Sequence, residues 1–379
     1  MKLAIVRQRY TPFGGAERFL ERSLAALGAE DLEVTVIARD WPEGASSAYR
    51  RVLLAPFAIG RAWRDAAFAK AACREVARGG YDLVQSHERV PCCDIYRAGD
   101  GVHREWLLQR GRRRGALRRL LDRASPFHRR LLAAERSLFA SPRLQAVVCN
   151  SRMVRDEIVR HYGVAGERLV VIPNAVDGEQ FHPGLRDQHR AAIRLQLGIA
   201  EDRPLFLHVG SGFERKGVDL LLEVWREMDA VLVVVGHDRH LADYRRRART
   251  LAGRVHLVGP QRDVRPWLGA ADVFVLPTLY DPLPNAALEA LACGLPVLTS
   301  LKSGAAEWIR PGHNGDVADA LDPAAWLAML RGWADPARAR AAAEAARSAV
   351  AGLTPAAMQQ AFAALYARVL AATSSGSTP

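Results

Sequence analysis

The feature that most restricts what this chain can become is an alternation that runs along it and then starts again. Short apolar runs rich in β-branched residues fall at 3–6, 34–37, 83–85, 146–148 and 170–172. Stretches with helical periodicity lie between them, among them 15–27 and 61–78. The order restarts with runs at 205–209, 231–235, 255–258, 273–276 and 297–299. Strand, helix and strand in repetition predict parallel sheets with crossover helices, the α/β class. The restart and a length of 379 residues predict two such domains, because a single core stops growing before that size. We place the first domain at 1–180, a polar linker at 181–203 and the second domain at 204–355. The Ala-rich end from 335 to 372 reads as two helices, with a C-terminal helix at 356–373 and a polar tail at 374–379. In open α/β sheets ligands bind beyond the carboxyl ends of the strands, so function is to be sought in the loops that lead into helices.

Charge adds a second constraint. Lys and Arg outnumber Asp and Glu by 53 to 41, a net +12. Such an excess points to an anionic partner: nucleic acid, a membrane surface or a phosphorylated substrate. Most of it is local. Residues 104–136 hold eleven Arg against Glu105, Asp122 and Glu135, a net +8. Trp106, Leu107, Leu117, Leu120 and Leu121 are interleaved, the last three at helical spacing. A basic amphipathic arm suits an anionic leaflet, at about 1 kcal/mol per surface cation. The alternatives are a solvated arginine-rich helix pair, or an arm that meets acceptor phosphates. A nucleic-acid-binding protein would need stacking platforms, and aromatics are only 7% of the chain, with none clustered in this arm.

No run of about 18 apolar residues occurs, so no spanning helix is expected. The opening residues 2–6 read as a strand, not as a leader. Five cysteines, Cys73, Cys92, Cys93, Cys149 and Cys293, show no C-x-x-C spacing, and their odd number argues against a disulfide framework. These observations predict a cytoplasmic protein, with Cys92-Cys93 structural.

Three loops carry the chemistry. The first holds Gly14, Gly15 and Glu17, after the first strand and before the first helix. Its glycines let backbone approach a ligand, and the helix start offers free N–H groups to phosphate or sugar. A plain turn is the competing reading. The second loop, Gly210-Ser211-Gly212-Phe213-Glu214-Arg215-Lys216-Gly217, sets an Arg-Lys pair beside glycines. That combination suits a pyrophosphate, Arg by forking onto two oxygens and Lys as a compact charge. A solvated loop with two surface cations is the bland alternative. The loop is not of the Walker type, and no dinucleotide fingerprint occurs at Gly14-Gly15. The third stretch runs from Tyr280 to Ala290. Asn285 is expected to cap a short helix that Gly294 ends. Asp281 before the helix and Glu289 inside it can face one ligand, one on sugar hydroxyls and the other on ribose hydroxyls. An unpartnered carboxylate in so apolar a helix would be costly, which favours a ligand for Glu289.

In these residues the chain resembles a family 4 glycosyltransferase of the GT-B type, with two Rossmann-like domains facing a central cleft. Asp281-x7-Glu289 is similar to the family's Glu-x7-Glu motif, and Ile172-Pro173-Asn174-Ala175-Val176-Asp177 to its interdomain signature. Arg215-Lys216 resembles its diphosphate pair and Gly14-Gly15 its first-domain loop. Val235-Gly236-His237 and Val258-Gly259-Pro260-Gln261-Arg262-Asp263 resemble its nucleotide-binding turns. Within the family, Pro12-Phe13-Gly14-Gly15, Gly212-Phe213-Glu214-Arg215-Lys216-Gly217 and Asp94-Ile95-Tyr96-Arg97-Ala98-Gly99-Asp100 are similar to the lipopolysaccharide core glucosyltransferase (RfaG/WaaG) group. The chain departs from the motif at Asp281, one methylene shorter than Glu, and at Pro282-Leu283, where Pro removes one backbone N–H.

The resemblance implies a retaining, metal-independent transfer with no resident cofactor. Arg215, Lys216, Asp281 and Asp100 would be catalytic. Gly14, Gly15, Gly210, Gly236, Gln261, Arg262, Asn285, Ala286 and Glu289 would bind the donor, UDP-glucose or another UDP-hexose. Glu17, His87 and His103 would position a lipid-linked saccharide acceptor, with the arm at 104–136 on the inner membrane surface. Without a metal, the departing diphosphate must be neutralised by Arg215, Lys216 and helix starts. A sugar-nucleotide isomerase or hydrolase on the same fold is the other enzymatic reading. It would need an acid–base pair and no membrane arm.

Overall fold

Every run that the alternation marks as a strand forms one. A computed structural model describes residues 1–9, 33–41, 50–251 and 253–375. The first sheet contains β1 (Lys2–Arg9), β2 (Glu33–Asp40), β3 (Arg50–Leu53), β4 (Leu83–Ser86), β5 (Ile95–Arg97), β6 (Ala146–Cys149) and β7 (Leu169–Val171). Its order is β3-β2-β1-β4-β5-β6-β7, and neighbours pair in parallel. The second sheet contains β8 (Leu205–Val209), β9 (Val231–Val235), β10 (Val255–Gly259), β11 (Val273–Leu276), β12 (Val297–Ser300) and β13 (Gly315–Ala318). Its order is β10-β9-β8-β11-β12-β13, again parallel. Central strands of parallel sheets are covered on both faces, which is why β9 and β11 are unbroken apolar runs. Three strands escape that signal. β3 and β13 lie at sheet edges with one neighbour each, and β5 has only three residues.

The chain divides into two compact units, Met1–Pro173 with Pro355–Pro379, and Asn174–Thr354. One buried cluster packs the first unit, and two pack the second. In the second unit Trp225, Trp326 and Trp333 are fully buried, and their indole N–H groups donate to Ala230 O (2.9 Å), Asp319 O (2.9 Å) and Asp316 Oδ2 (2.6 Å). Large rings of this kind fill a core well only when that polar edge is satisfied.

Two stretches differ from the sequence expectation. Part of the polar stretch read as a linker is a helix, Leu185–Leu197, in the second unit. Arg186, Arg190 and Arg194 recur every fourth residue and converge on the buried Asp272, at 3.3, 2.9 and 2.6 Å. The same carboxylate accepts from the N–H of Leu205 at the start of β8 (3.0 Å). The polar residues that suggest a linker are the inner face of this helix. The last helix, Pro355–Ser375, belongs to the first unit, where the hydroxyl of Tyr366 donates to Gln85 Oε1 on β4 (2.8 Å).

The cysteine expectation is corrected. Cys73 and Cys92 form a disulfide, and Cys93, Cys149 and Cys293 are free and buried. An odd count leaves room for a pair. The helix Arg61–Arg78 brings Cys73 to within 5.5 Å (Cα–Cα) of Cys92, inside bridging range, a proximity that linear spacing does not reveal. The cysteine pattern therefore no longer argues for a reducing compartment. Among the described residues no helix is long and apolar enough to cross a membrane.

Candidate active site

The strand order of the second sheet reverses between β8 and β11. The short helix Phe213–Lys216 in the connection after β8 carries Arg215 and Lys216, and the loop after β11 carries Asp281. Lys216 Nζ hydrogen-bonds directly to Asp281 Oδ2, and Arg215 Nη1 stands 3.7 Å from the same oxygen. Arg215 also donates to Tyr280 O (3.2 Å), while its own carbonyl accepts from the N–H of Leu279 (2.8 Å). The Asp281 N–H donates to Lys302 O (2.9 Å) and its carbonyl accepts from the N–H of Gly304 (2.8 Å). Two connections that stand 65 residues apart in the chain are thus pinned as one group.

The turn that makes this possible needs glycine. Gly217 has φ +78°, and a Cβ there would lie 2.0 Å from Pro277 O. Gly236, after β9, has φ +144°, and a Cβ there would lie 2.0 Å from Gly210 O. The loops after β8 and β9 therefore touch backbone to backbone, with Gly210 N–H on Val235 O (2.9 Å) and Gly212 N–H on His237 O (3.0 Å). Asp238 accepts from the N–H of Phe213 (2.8 Å), so a carboxylate already occupies that helix start.

Burial lowers the proton affinity of Lys216; Asp281 opposes the shift and Arg215 adds to it. Beneath lies a residue that sequence reasoning missed. His208, on β8, is fully buried, and its Nδ1 meets Val275 O at 3.1 Å. A carbonyl only accepts, so Nδ1 carries the proton and Nε2 is left as an acceptor, with no hydrogen-bond partner among the described residues. Burial, reinforced by Lys216, pushes its pKa down to about 3. The only available signal was a His inside an apolar strand, which reads equally well as packing.

In the third stretch the helix is Asn285–Ala292. Asn285 is its first residue and not its cap. Pro284, with its ring-fixed φ, supplies the extended entry, and Asn285 Oδ1 accepts from Asn174 Nδ2 (2.7 Å). Gly294, at φ +79°, follows the helix end as expected. Ala286 and Glu289 are half-buried, Asn285 is exposed, and so are Gln261 and Arg262 after β10.

In the first sheet the order reverses between β1 and β4. His87, just after β4, is half-buried between Arg7 (3.2 Å to Nδ1) and Gln85 (3.2 Å to Nε2). Burial, then Arg97 and Arg7, holds its pKa well below the ordinary imidazole value. Asp100 is exposed. His103 is buried, with Nε2 3.1 Å from His128 Nδ1, and so is engaged inside the arm. Gly14, Gly15 and Glu17 lie outside the described residues.

Residues 13–180 match the Glycosyltransferase Family 4 description, and residues 203–334 match Glycosyl transferases group 1. The chain is a glycosyltransferase with a Family 4 domain followed by a group 1 domain. It is 27% identical to the lipopolysaccharide glucosyltransferase WaaG of Escherichia coli over 84% of this chain and 85% of that protein. A crystal structure of WaaG, a glycosyltransferase involved in lipopolysaccharide biosynthesis, matches with a TM-score of 0.80 and 25% identity, over 96% of this chain and 99% of that one. The D-inositol 3-phosphate glycosyltransferase of Geodermatophilus obscurus is 31% identical over 70% of this chain and 62% of its own length. Anabaena HepE, solved in complex with UDP-glucose, shares the fold at 18% identity and a TM-score of 0.72, over 97% of this chain and 100% of that one.

The basic arm of this glycosyltransferase is three helices, His103–Arg112, Ala116–Ala124 and Pro126–Phe139. Its three acids are engaged by internal partners. Glu135 accepts from Arg89 (3.0 Å), the N–H of His103 (2.6 Å) and the hydroxyl of Tyr162 (2.5 Å). Glu105 meets His161 (2.7 Å), and Asp122 pairs with Arg114 (3.0 Å). Leu117, Leu120 and Leu121 are 71%, 62% and 60% exposed, so the middle helix presents an apolar face among arginines.

Proposed function

We propose that this enzyme moves a hexose, glucose or a close relative, from a UDP-sugar to a lipid-linked saccharide of the lipopolysaccharide core type at the inner membrane surface. Transfer proceeds with retention of configuration and without a metal. The observation that carries this reading is the Lys216–Asp281 pair, with Arg215 beside it, at the strand-order reversal of the second sheet. The two cations provide the positive charge that a departing diphosphate needs, in a partly buried place where it counts for more than in water. Asp281 holds Lys216 in position and keeps further lone pairs for sugar hydroxyls. In the transfer step the bond from the anomeric carbon to the diphosphate breaks as the acceptor oxygen bonds on the same face. The hydroxyl proton passes to the leaving phosphate oxygen.

The donor identity draws on HepE, solved with UDP-glucose, and on the glucosyltransferase WaaG. The acceptor draws on WaaG and on the arm, whose exposed leucines and arginines suit a leaflet of anionic lipid. The test is transfer of radiolabelled glucose from UDP-glucose to a lipopolysaccharide core acceptor in EDTA, set against free glucose released from the donor. Lipid-linked product in EDTA is the expected result. Turnover only with added magnesium, or release of free sugar alone, overturns the reading.

A further inference from the structure

Beyond the carboxyl ends of β1 and β4, where the first sheet reverses its strand order, opens a cavity of about 600 Å³. This is where an open α/β sheet takes its ligand, and the size is that of a small-molecule site. Such sites are mostly apolar. Here five arginines and three acids line the walls.

Most of these charges are engaged. Arg39 is bound to Asp40 (2.7 Å) and Arg89 to Glu135 (3.0 Å). Arg7 contacts His87. The Gln8 side chain donates to Asp65 (3.2 Å) and its N–H to Glu88 (3.0 Å). Two guanidiniums, Arg64 and Arg130, have no carboxylate partner among the described residues. They come from different helices, Arg61–Arg78 and Pro126–Phe139, and both line the cavity; Arg130 also lies 5.7 Å over the ring of Trp63, the residue before Arg64. Asp100 lines the same cavity, is exposed, and accepts no hydrogen bond among the described residues.

Two uncompensated forks match a doubly charged anion that can take bidentate bonds from each. A phosphate monoester carries such a charge at neutral pH. A carboxylate beside it accepts from ring hydroxyls. We propose that this cavity seats a phosphorylated sugar of the acceptor, its phosphate held by Arg64 and Arg130 and a ring hydroxyl by Asp100. The inference rests on the acceptor site being in the first unit, as the reading of Asp100 and His87 requires.

The test uses the full chain and calorimetric titration with glucose 6-phosphate, glucose and inorganic phosphate, and with UDP-glucose in parallel. Glucose 6-phosphate should bind at least about tenfold tighter than either fragment, as hydrogen bonds to charged groups imply. The double variant R64Q/R130Q should lose that preference and still bind UDP-glucose as the parent does, which shows that it is folded. Equal binding of glucose and glucose 6-phosphate, a preference that survives in R64Q/R130Q, or inorganic phosphate binding as tightly as the sugar phosphate overturns the inference. Failure of the parent to bind UDP-glucose strikes instead at the proposed function. A last arm identifies the source: transfer to a core glycolipid before and after removal of its phosphates. A loss of about tenfold or more assigns the phosphate to the glycolipid. Unchanged transfer, with glucose 6-phosphate still bound, assigns it to a soluble sugar phosphate.

Discussion

The reversal points of the two sheets occupy equivalent positions and are furnished in opposite ways. After β8 and β11 a lysine is closed onto an aspartate, both largely buried, above a buried neutral histidine. After β1 and β4 the polar groups face an open cavity, where two arginines stand without a carboxylate partner among the described residues. The difference follows from desolvation. A cation taken from water must have a partner, because an uncompensated buried charge costs several kcal/mol, whereas a solvated one can stay single at little cost. The same topology therefore holds a closed ion pair in one unit and an open cavity lined by arginines in the other.

The largest effect expected from breaking this contrast is at Lys216. Lys216→Ala removes the charge that the proposed function sets against the leaving group and should cut turnover at least about a hundredfold, by analogy with a lost oxyanion donor. Steady-state transfer kinetics check it, and an unchanged kcat refutes the role. Asp281→Asn should lower kcat/KM roughly tenfold or more, since a hydrogen bond to a charged group is weakened. Asp281→Glu should stay within about threefold of the parent if carboxylate charge, not length, is what matters. A Glu variant as poor as the Asn variant would assign the role to the shorter side chain.

Acid should sharpen the contrast next. His208 titrates at about 3 in the folded chain, against an ordinary value of about 6.5 when unfolded. Below that ordinary value protons bind the unfolded chain preferentially, so stability is lost as pH falls towards the folded value. By about pH 5 the loss from this group is on the order of 2 kcal/mol. The difference in unfolding midpoint between about pH 7 and pH 5 should shrink in His208→Gln. His87, also lowered, acts with the same sign in the first unit. The smallest single effects belong to the arm. Arg118→Gln and Arg123→Gln should each weaken sedimentation with anionic vesicles by roughly fivefold, and raised salt should mimic them. Binding that ignores both changes would remove the arm from the membrane.

Two arginine-rich helices explain how far the sequence can be read. In the sequence the first reads as part of a polar linker and the second as part of a basic amphipathic arm. In the helix Leu185–Leu197 the arginines turn inward to Asp272, 86, 82 and 78 residues along the chain. In the helix Ala116–Ala124 they face water, with leucines beside them. A run of cations carries no information about its partner when that partner lies far along the chain. The same reason hides the Cys73–Cys92 bridge, the contact of Tyr366 with Gln85 and the meeting of Arg64 and Arg130 at one cavity. Asp100 is legible through a motif and lines that cavity, whereas His103 from the same neighbourhood is buried against His128.

Local patterning alone determined the class of fold, the restart that makes two sheets, and the loops that bear Arg215, Lys216 and Asp281. Strand periodicity and glycine at tight turns are properties of a few consecutive residues. Tertiary structure alone decided which charges meet. Pairing depends on distances between segments far apart in sequence, and burial, which sets the energetic consequence of each pairing, exists only once those segments have packed.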